Sequence, residues 1–361
     1  MRSLAGICAV LAITAGCADP CADGLVCTIA GNGLLGFNGD GMDARDTWLA
    51  APTSVTVDPD GRPVVIDYSN MRVRVVDDGV LTTIVGDGRH AYSEIGAAPR
   101  DTPLENPVDA VWGPDGLLYV LPQHEGRVIR LKDGVVERFA GTGAIDHAGD
   151  GGPAVDAAMG YTGGFAFGSD GSLYISDNTH SRVRRIDPTG IIATVLGTGE
   201  RALGTPGYGP EMAIDSPERI AIDGDRLLVA DTANDRVLGL DLTTLEATVI
   251  AGTGERGFAG DGGQAVDARL DRPVGVLPGP DGGVLIGDLE NHVVRFVSAG
   301  GSIRTVLGTG VRWEDAEDGL PATEMALRKP AGMAWAPGGD LLIAERGGHR
   351  VLRWVGAADA L

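Results

Sequence analysis

One strand-opening position returns along this chain at a nearly constant interval. Pro52, Pro107, Pro217, Pro273 and Pro330 each precede an apolar, alternating run, and Thr162 holds the matching place between the second and third of them. By subtraction the steps are 55, 55, 55, 56 and 57 residues. A period of this size means that one supersecondary unit cannot bury its own apolar face and must stack on its neighbours.

The fourth copy shows what the unit contains. Residues 217–223 alternate as a short strand, Gly224-Asp225 supplies a turn, and residues 226–231 form a second strand. A polar loop from Thr232 to Asp235 leads to a third strand at 236–240, and residues 247–252 make a fourth. Short β-branched runs separated by Gly, Asp and Asn are antiparallel strands joined by hairpins. The fourth-strand ending recurs as Ala30-Gly31, Val85-Gly86, Ala140-Gly141, Leu196-Gly197, Ala251-Gly252 and Leu307-Gly308. Six such units predict an all-β chain: a six-bladed β-propeller of four-stranded antiparallel blades. A solenoid would need polar caps at both ends, and the pattern offers none. It begins instead with a lone fourth strand, residues 28–31, and stops after three strands of the last unit, near Val355. The N-terminal strand is therefore expected to pair with the last blade, closing the ring and hiding two open sheet edges.

Two glycine-rich runs, Gly31-Asn32-Gly33-Leu34-Leu35-Gly36-Phe37-Asn38-Gly39-Asp40-Gly41 and residues 252–263, resemble the repeat opening of NHL-repeat β-propellers. Asp67-Tyr68-Ser69-Asn70-Met71-Arg72-Val73 and Asp231-Thr232-Ala233-Asn234-Asp235-Arg236-Val237 are similar to the strand-and-loop part of that repeat. The resemblance covers almost all of residues 28–355. It implies the fold and leaves the activity open. The family and its relatives include RNA binders, protein-binding ectodomains, a copper-independent lyase of peptide amidation and metal-dependent lactonase cousins.

Charge narrows this range. With 50 acidic against 29 basic residues the formal net charge is −21. Phosphate backbones are held by Lys and Arg, so so acidic a surface is expected to repel nucleic acid. Residues 1–16 carry one basic residue, an apolar stretch and small residues, the pattern of an export signal. Thr14-Ala15-Gly16-Cys17 resembles a bacterial lipobox, which implies cleavage before Cys17 and a lipid on its sulfur; an ordinary signal peptide is the alternative. The expected location is the extracytoplasmic side of a bacterial cell envelope, lipid-anchored or secreted, with membrane contact through the lipid only. Residues 17–27 then read as a tether, 28–355 as the propeller and 356–361 as a C-terminal tail. Cys21 and Cys27 flank the start of the closing strand. In an oxidising compartment they form a small disulfide loop, or they remain two free thiols.

Connections from strand four to the next blade, and from strand two to strand three, leave a propeller on one face, where loops on a rigid scaffold carry function. Four features fall there. An acid ends each second strand (Asp67, Asp177, Asp231, Asp288 and Glu345), with Pro122 in its place in blade two. A ring of carboxylates suits Ca²⁺, but an Asp at a strand end also accepts N–H bonds within its own turn. Arginines five residues on, such as Arg72, Arg236 and Arg350, are expected to bond to these acids.

The second feature is the broken pattern. Blade two reads Pro122-Gln123-His124-Glu125, and blade five has Val293 where arginine is expected. Such breaks mark function or drift, and they single out His124, Glu125 and Asp288 as candidate ligand contacts. The third is the inner strand, where Asp109 and Arg219 interrupt the small residues Ser54, Gly164, Gly275 and Gly332. This pair either binds a polar ligand at the channel mouth or joins across it. The fourth is Gly39-Asp40-Gly41, repeated at 149–151 and 260–262, in blades one, three and five only. These glycines are read as turn formers, with an anion nest or a Ca²⁺ loop as alternatives. No HExxH spacing and no nucleophile elbow occur. The function expected is a monomeric, non-catalytic binding scaffold with no cofactor beyond a possible Ca²⁺. Its loop-rich face would meet a protein, peptide or glycan. The alternative is a metal-assisted hydrolase or lyase at the mouth of the central channel.

Overall fold

The computed structural model describes residues 21–312 and 317–361. The export signal and Cys17 lie outside the described residues. Six antiparallel sheets of four or five strands form the six blades of a propeller. Blade one consists of Ser54–Val57, Pro63–Asp67, Arg72–Asp77 and Val80–Val85, from the axis outward. The inner strands of the others are Pro107–Trp112, Thr162–Phe167, Pro217–Asp223, Pro273–Pro278 and Pro330–Trp335.

The ring closes head to tail. Leu25–Ala30 pairs antiparallel with Arg350–Trp354, from Val26 opposite Trp354 to Ala30 opposite Val351. The closing strand thus starts inside the segment read as tether. Cys21 and Cys27 are bridged, and Gly24 N–H donates to Val355 O while Val355 N–H donates to Leu25 O. The tail is also docked. Ala357–Ala360 is a short helix, Ala357 is buried, and Arg304 Nη2 donates to Leu361 O at 3.0 Å.

Three blades carry a fifth strand that the repeat did not suggest. Met42–Asp43, Gly207–Tyr208 and Leu320–Pro321 lie along the outer strands of blades one, four and six. Each belongs to the connector arriving from the previous blade. Gly31 N–H donates to Ala44 O, and Ala44 N–H donates to Gly79 O, so one buried residue bonds to two consecutive blades. Ala154, Gly209 and Ala265 repeat this relay. The site admits only small residues: a Cβ on Gly209 would lie 2.6 Å from Val195 O. The connector both staples neighbouring blades and covers the sheet edge.

The apolar core lies between blades. Ile66, Val73 and Val85 of blade one pack on Ala110, Val120 and Ile129 of blade two. At the axis the inner strands crowd one another, which is why small residues recur there. A Cβ on Gly163 would sit 2.6 Å from Glu218 Cα, and one on Gly332 2.8 Å from Ser54 Cα. Among the described residues no helix is long and apolar enough to cross a membrane.

Candidate functional site

The acids that end the second strands are structural clamps. Asp67, Asp177, Asp231, Asp288 and Glu345 are all buried. They accept the backbone N–H of Ala50, Gly160, Asp215, Asp271 and Arg328 respectively, 16 residues upstream for Asp215 and 17 for the others. The bond therefore reaches back to the incoming connector, and the expected bond within the acid's own turn is added in blade three, where His180 N–H donates to Asp177 at 3.1 Å. An Asn three residues on supports the acid in three blades: Asn70 Nδ2 donates to Asp67, Asn234 Nδ2 to Asp231 and Asn291 Nδ2 to Asp288. Asp288 is thus enclosed within blade five, out of reach of a ligand. The arginine five residues on bonds its acid in blades four and six only, as Arg236–Asp231 at 2.7 Å and Arg350–Glu345. Arg72 and Arg182 instead donate to the connector carbonyls Asp87 O and Thr198 O.

The Gly-Asp-Gly turns also have a structural partner. Asp40, Asp150 and Asp261 pair with Arg74, Arg184 and Arg295 at 3.2, 2.6 and 2.5 Å. All three guanidinium groups are fully buried, and the same aspartates accept the N–H of Thr83, Thr194 and Thr305. The corresponding residues of the even blades are Ile129, Leu238 and Leu352, which lie in the core. The threefold alternation is therefore a girdle of ion pairs between buried guanidinium groups and partly exposed carboxylates. Its carboxylates are occupied by arginine, not arranged for calcium.

At the axis, Arg219 of blade four reaches across the channel. Its Nη1 lies 2.9 Å from Asp109 Oδ1 of blade two, and its Nη2 donates to Thr53 O and Val108 O at 2.9 and 2.8 Å. Both side chains are buried. The structure joins the two candidate residues to each other, and together they floor the channel mouth. Above this floor stand the residues that follow each strand-two acid position: Tyr68, Gln123, Asn178, Thr232, Leu289 and Arg346. No two are alike, although the position before them is acidic in five blades.

Tyr68 Oη donates to Gln123 Oε1 at 2.6 Å, and the Arg346 guanidinium lies 5.8 Å from the Tyr68 ring centre. Asn178 Nδ2 donates to Glu218 Oε1 at 3.2 Å. Burial pushes the Glu218 carboxyl up, and Arg346, Arg219 and Arg272 oppose the shift. Burial likewise raises the Tyr68 hydroxyl, with Arg346 opposing and Glu218 and Glu105 adding to it. A carboxylate, an arginine, two amides and a phenol from five blades thus converge on one cup. This donor and acceptor set suits a polar ligand. Sequence reading missed Tyr68, Glu218 and Arg346. For Tyr68 and Arg346 the available signal was the complete variation at the position after a repeated acid; for Glu218 it was a lone acid where the other inner strands carry Thr53, Val108, Gly163, Val274 and Ala331.

Comparison with known proteins agrees with this architecture. The family model described as Teneurin NHL domain matches residues 134–220, from the outer strand of blade two to the inner strand of blade four. Teneurin-m of Drosophila melanogaster is 26% identical over 347 residues, covering 84% of this chain and 12% of the relative. An auxiliary nutrient binding protein from Bacteroides thetaiotaomicron superposes with a TM-score of 0.66 at 16% identity, covering 91% of this chain and 75% of that one. A streptogramin B lyase superposes with a TM-score of 0.54 at 12% identity, covering 87% and 95%. The chain is a six-bladed β-propeller whose similarity to known proteins is to NHL-repeat domains. At these identities the two solved structures speak for the fold alone, and the chain spans about an eighth of the length of Teneurin-m.

Two further surfaces of this propeller bear on function. The large apolar side chains that are exposed, fourteen in all among the described residues, lie in the six connectors between blades; Leu34, Leu35, Tyr92, Tyr161, Leu203 and Phe258 are examples. A polar cavity of about 580 Å³ opens at the closing seam, between Thr28, Asn32, Arg45, Asp318, Arg328 and Glu345. Most of its charges are already engaged: Arg45 meets Asp318 at 3.3 Å, and Glu345 holds Arg350 and the Arg328 N–H. We therefore place the candidate site at the mouth rather than in the seam.

Proposed function

We propose that this propeller is an extracytoplasmic binding scaffold, held to the envelope through a lipid on Cys17, whose connector face receives a protein, peptide or glycan. One observation carries the reading: the exposed large apolar side chains gather on the connectors, and apolar surface rimmed by polar groups marks an interaction face. The mouth adds selectivity. Its floor is sealed by the Arg219–Asp109 pair, so it forms a shallow polar cup, with Arg346 exposed at its rim. The nutrient-binding protein of like fold supports a binding role, and the Cys21–Cys27 bridge supports an oxidising compartment. A metal-assisted hydrolase or lyase on the channel axis has less support, because Asp109 is bound to Arg219 and Glu218 stands among arginines.

The test is a glycan and peptide array probed with the mature chain and with R346A/E218Q. A ligand class bound by the parent and weakened about 10-fold or more by the pair is expected, the loss of one strong interface contact. A ligand that binds both proteins equally would refute the mouth as its site. Mass spectrometry of the native protein tests the anchor, which an unmodified Cys17 would exclude.

A further inference from the structure

Blade two departs from the repeat in a way that the mouth does not use. Pro122 ends its second strand, and the clamping acid has moved three residues on to Glu125. Glu125 is buried, and its Oε1 accepts the N–H and the hydroxyl of Ser93, both at 2.7 Å. The backbone amide of Glu105 also favours its charge, and Glu105 is the blade-two equivalent of the clamped connector residues Ala50, Gly160 and Asp215. Glu125, expected as a ligand contact, is therefore a clamp. Its displacement sets His124 on the loop above the connector. Gln123 N–H donates to Asn106 O at 2.9 Å and fixes that loop to the connector's end. On the connector itself, His90 forms a bridge with Leu104, which holds His90 beside Glu105.

The two ends of the connector and the strand-two loop thus converge. His90 Nε2 lies 2.8 Å from Glu105 Oε1, and His124 Nδ1 lies 3.7 Å from the same oxygen. The three ligand atoms all fall within 4.8 Å of one another. Asn106 Oδ1, 2.7 Å from His90 Nε2, steadies that imidazole beside the cluster. In blades four and five the same connector geometry holds an arginine–aspartate pair, Arg201–Asp215 at 3.1 Å and Arg256–Asp271 at 3.2 Å. Blade two replaces the arginine by one imidazole and brings in a second from the strand-two loop. A plain ion pair needs only the first. Two imidazoles and a carboxylate around one point are a donor set for a divalent transition metal, and the nitrogen donors select against Ca²⁺.

We propose that His90, Glu105 and His124 form a binding site for Zn²⁺ or a similar divalent transition metal, on the connector face of blade two. Three protein ligands leave at least one coordination position for water or for an oxygen or nitrogen of an incoming molecule. The site adjoins the mouth, since Gln123, next to His124, bonds to Tyr68. The Tyr161 ring, 4.5 Å from the His124 ring, lines it on the blade-three side.

The full chain, stripped with chelator, is titrated with Zn²⁺ by calorimetry, and Co²⁺ is added separately to read its visible absorption. One equivalent of metal per chain is expected. H90A and H124A should each weaken binding by at least about 100-fold, beyond the loss expected for a residue that only positions a ligand. H147A, which changes a histidine of blade three, should leave binding unchanged. Thermal melts of the variants confirm that both rest on folded protein. Absence of a saturable equivalent in excess Zn²⁺ overturns the proposal, and so does binding that survives H90A/H124A. The array result at the mouth is independent of either outcome.

Discussion

Asp288→Asn probes the clamps through their one weak member. Asp288 accepts the Asp271 N–H and Asn291 Nδ2, both at 2.8 Å. Val293 stands where two other blades place a bonding arginine, and the nearest guanidinium, Arg295, is 3.9 Å away and committed to Asp261 at 2.5 Å. Burial therefore pushes the carboxyl from 3.8 up to about 7, with Asn291, the Asp271 amide and Arg295 recovering only part of the shift. A carboxyl of raised pKa keeps its proton longer in the folded chain than in the unfolded one. Its contribution to stability is full below the unfolded value and is lost as pH rises toward the folded value. At about 1.4 kcal/mol per pH unit, linkage between those two values removes about 2–3 kcal/mol between pH 5 and pH 8. Asparagine does not ionise, so the variant escapes this loss. Urea unfolding of both proteins across that range should show the gap between parent and D288N narrowing by this amount as pH rises. Parallel stability curves would refute the reasoning. Asp231→Asn is the contrast. It strands the buried Arg236, bonded at 2.7 Å, and should cost about 3–5 kcal/mol at pH 8.

Three other perturbations test the frame. Removing residues 21–30 bares the edge of Arg350–Trp354 and should lower the melting temperature and promote aggregation, at about 1 kcal/mol for each lost backbone bond; an unchanged melt would exclude the seam. Cys21→Ser opens a loop of sequence separation 6, and the loop-closure relation gives a loss of about 2 kcal/mol, visible as a lower urea midpoint that reductant no longer shifts. Asp150→Asn leaves Arg184 buried beside a neutral group and should cost about 1–3 kcal/mol, less than a fully buried pair because water screens Asp150, whereas Asp150→Asn with Arg184→Met should recover much of that; additive losses would show that the pair is not coupled.

The blade count, strand order and ring closure were legible because they rest on periods of 2 and about 55 residues, and local pattern carries both. The fifth strands were not. Met42–Asp43 is two residues long, and it pairs only because Ala44 is held between two blades. Among the site candidates, sequence placed Asp109 and Arg219 on the inner strand and left open whether they bind or pair; the structure pairs them. It also drew attention to His124 and Glu125 correctly as a break, but adjacency in sequence suggested one shared role. Their side chains part instead, Glu125 into the core toward Ser93 and His124 toward Glu105. His90 and Glu105 were out of reach, since 15 residues separate His90 from Glu105 and 19 separate Glu105 from His124 along the chain, and only the clamp folds those distances away.

The repeat itself explains where chemistry can sit. Each blade must fasten its neighbour, and it does so with the strand-two acid, the connector relay and, in odd blades, a buried arginine. Residues in those columns face the inter-blade core and are held by backbone amides or by one another, so a change there costs stability before it alters recognition. Freedom remains only in columns the fastening does not use: the position after the acid, which rings the mouth, and the loop above a connector. Blade two gains a further free position because Glu125 performs the clamp from three residues later, releasing His124 from the strand end. Displacing a structural residue within one copy, while keeping its bond, is thus a route by which a uniform ring acquires a distinct site without loosening its frame.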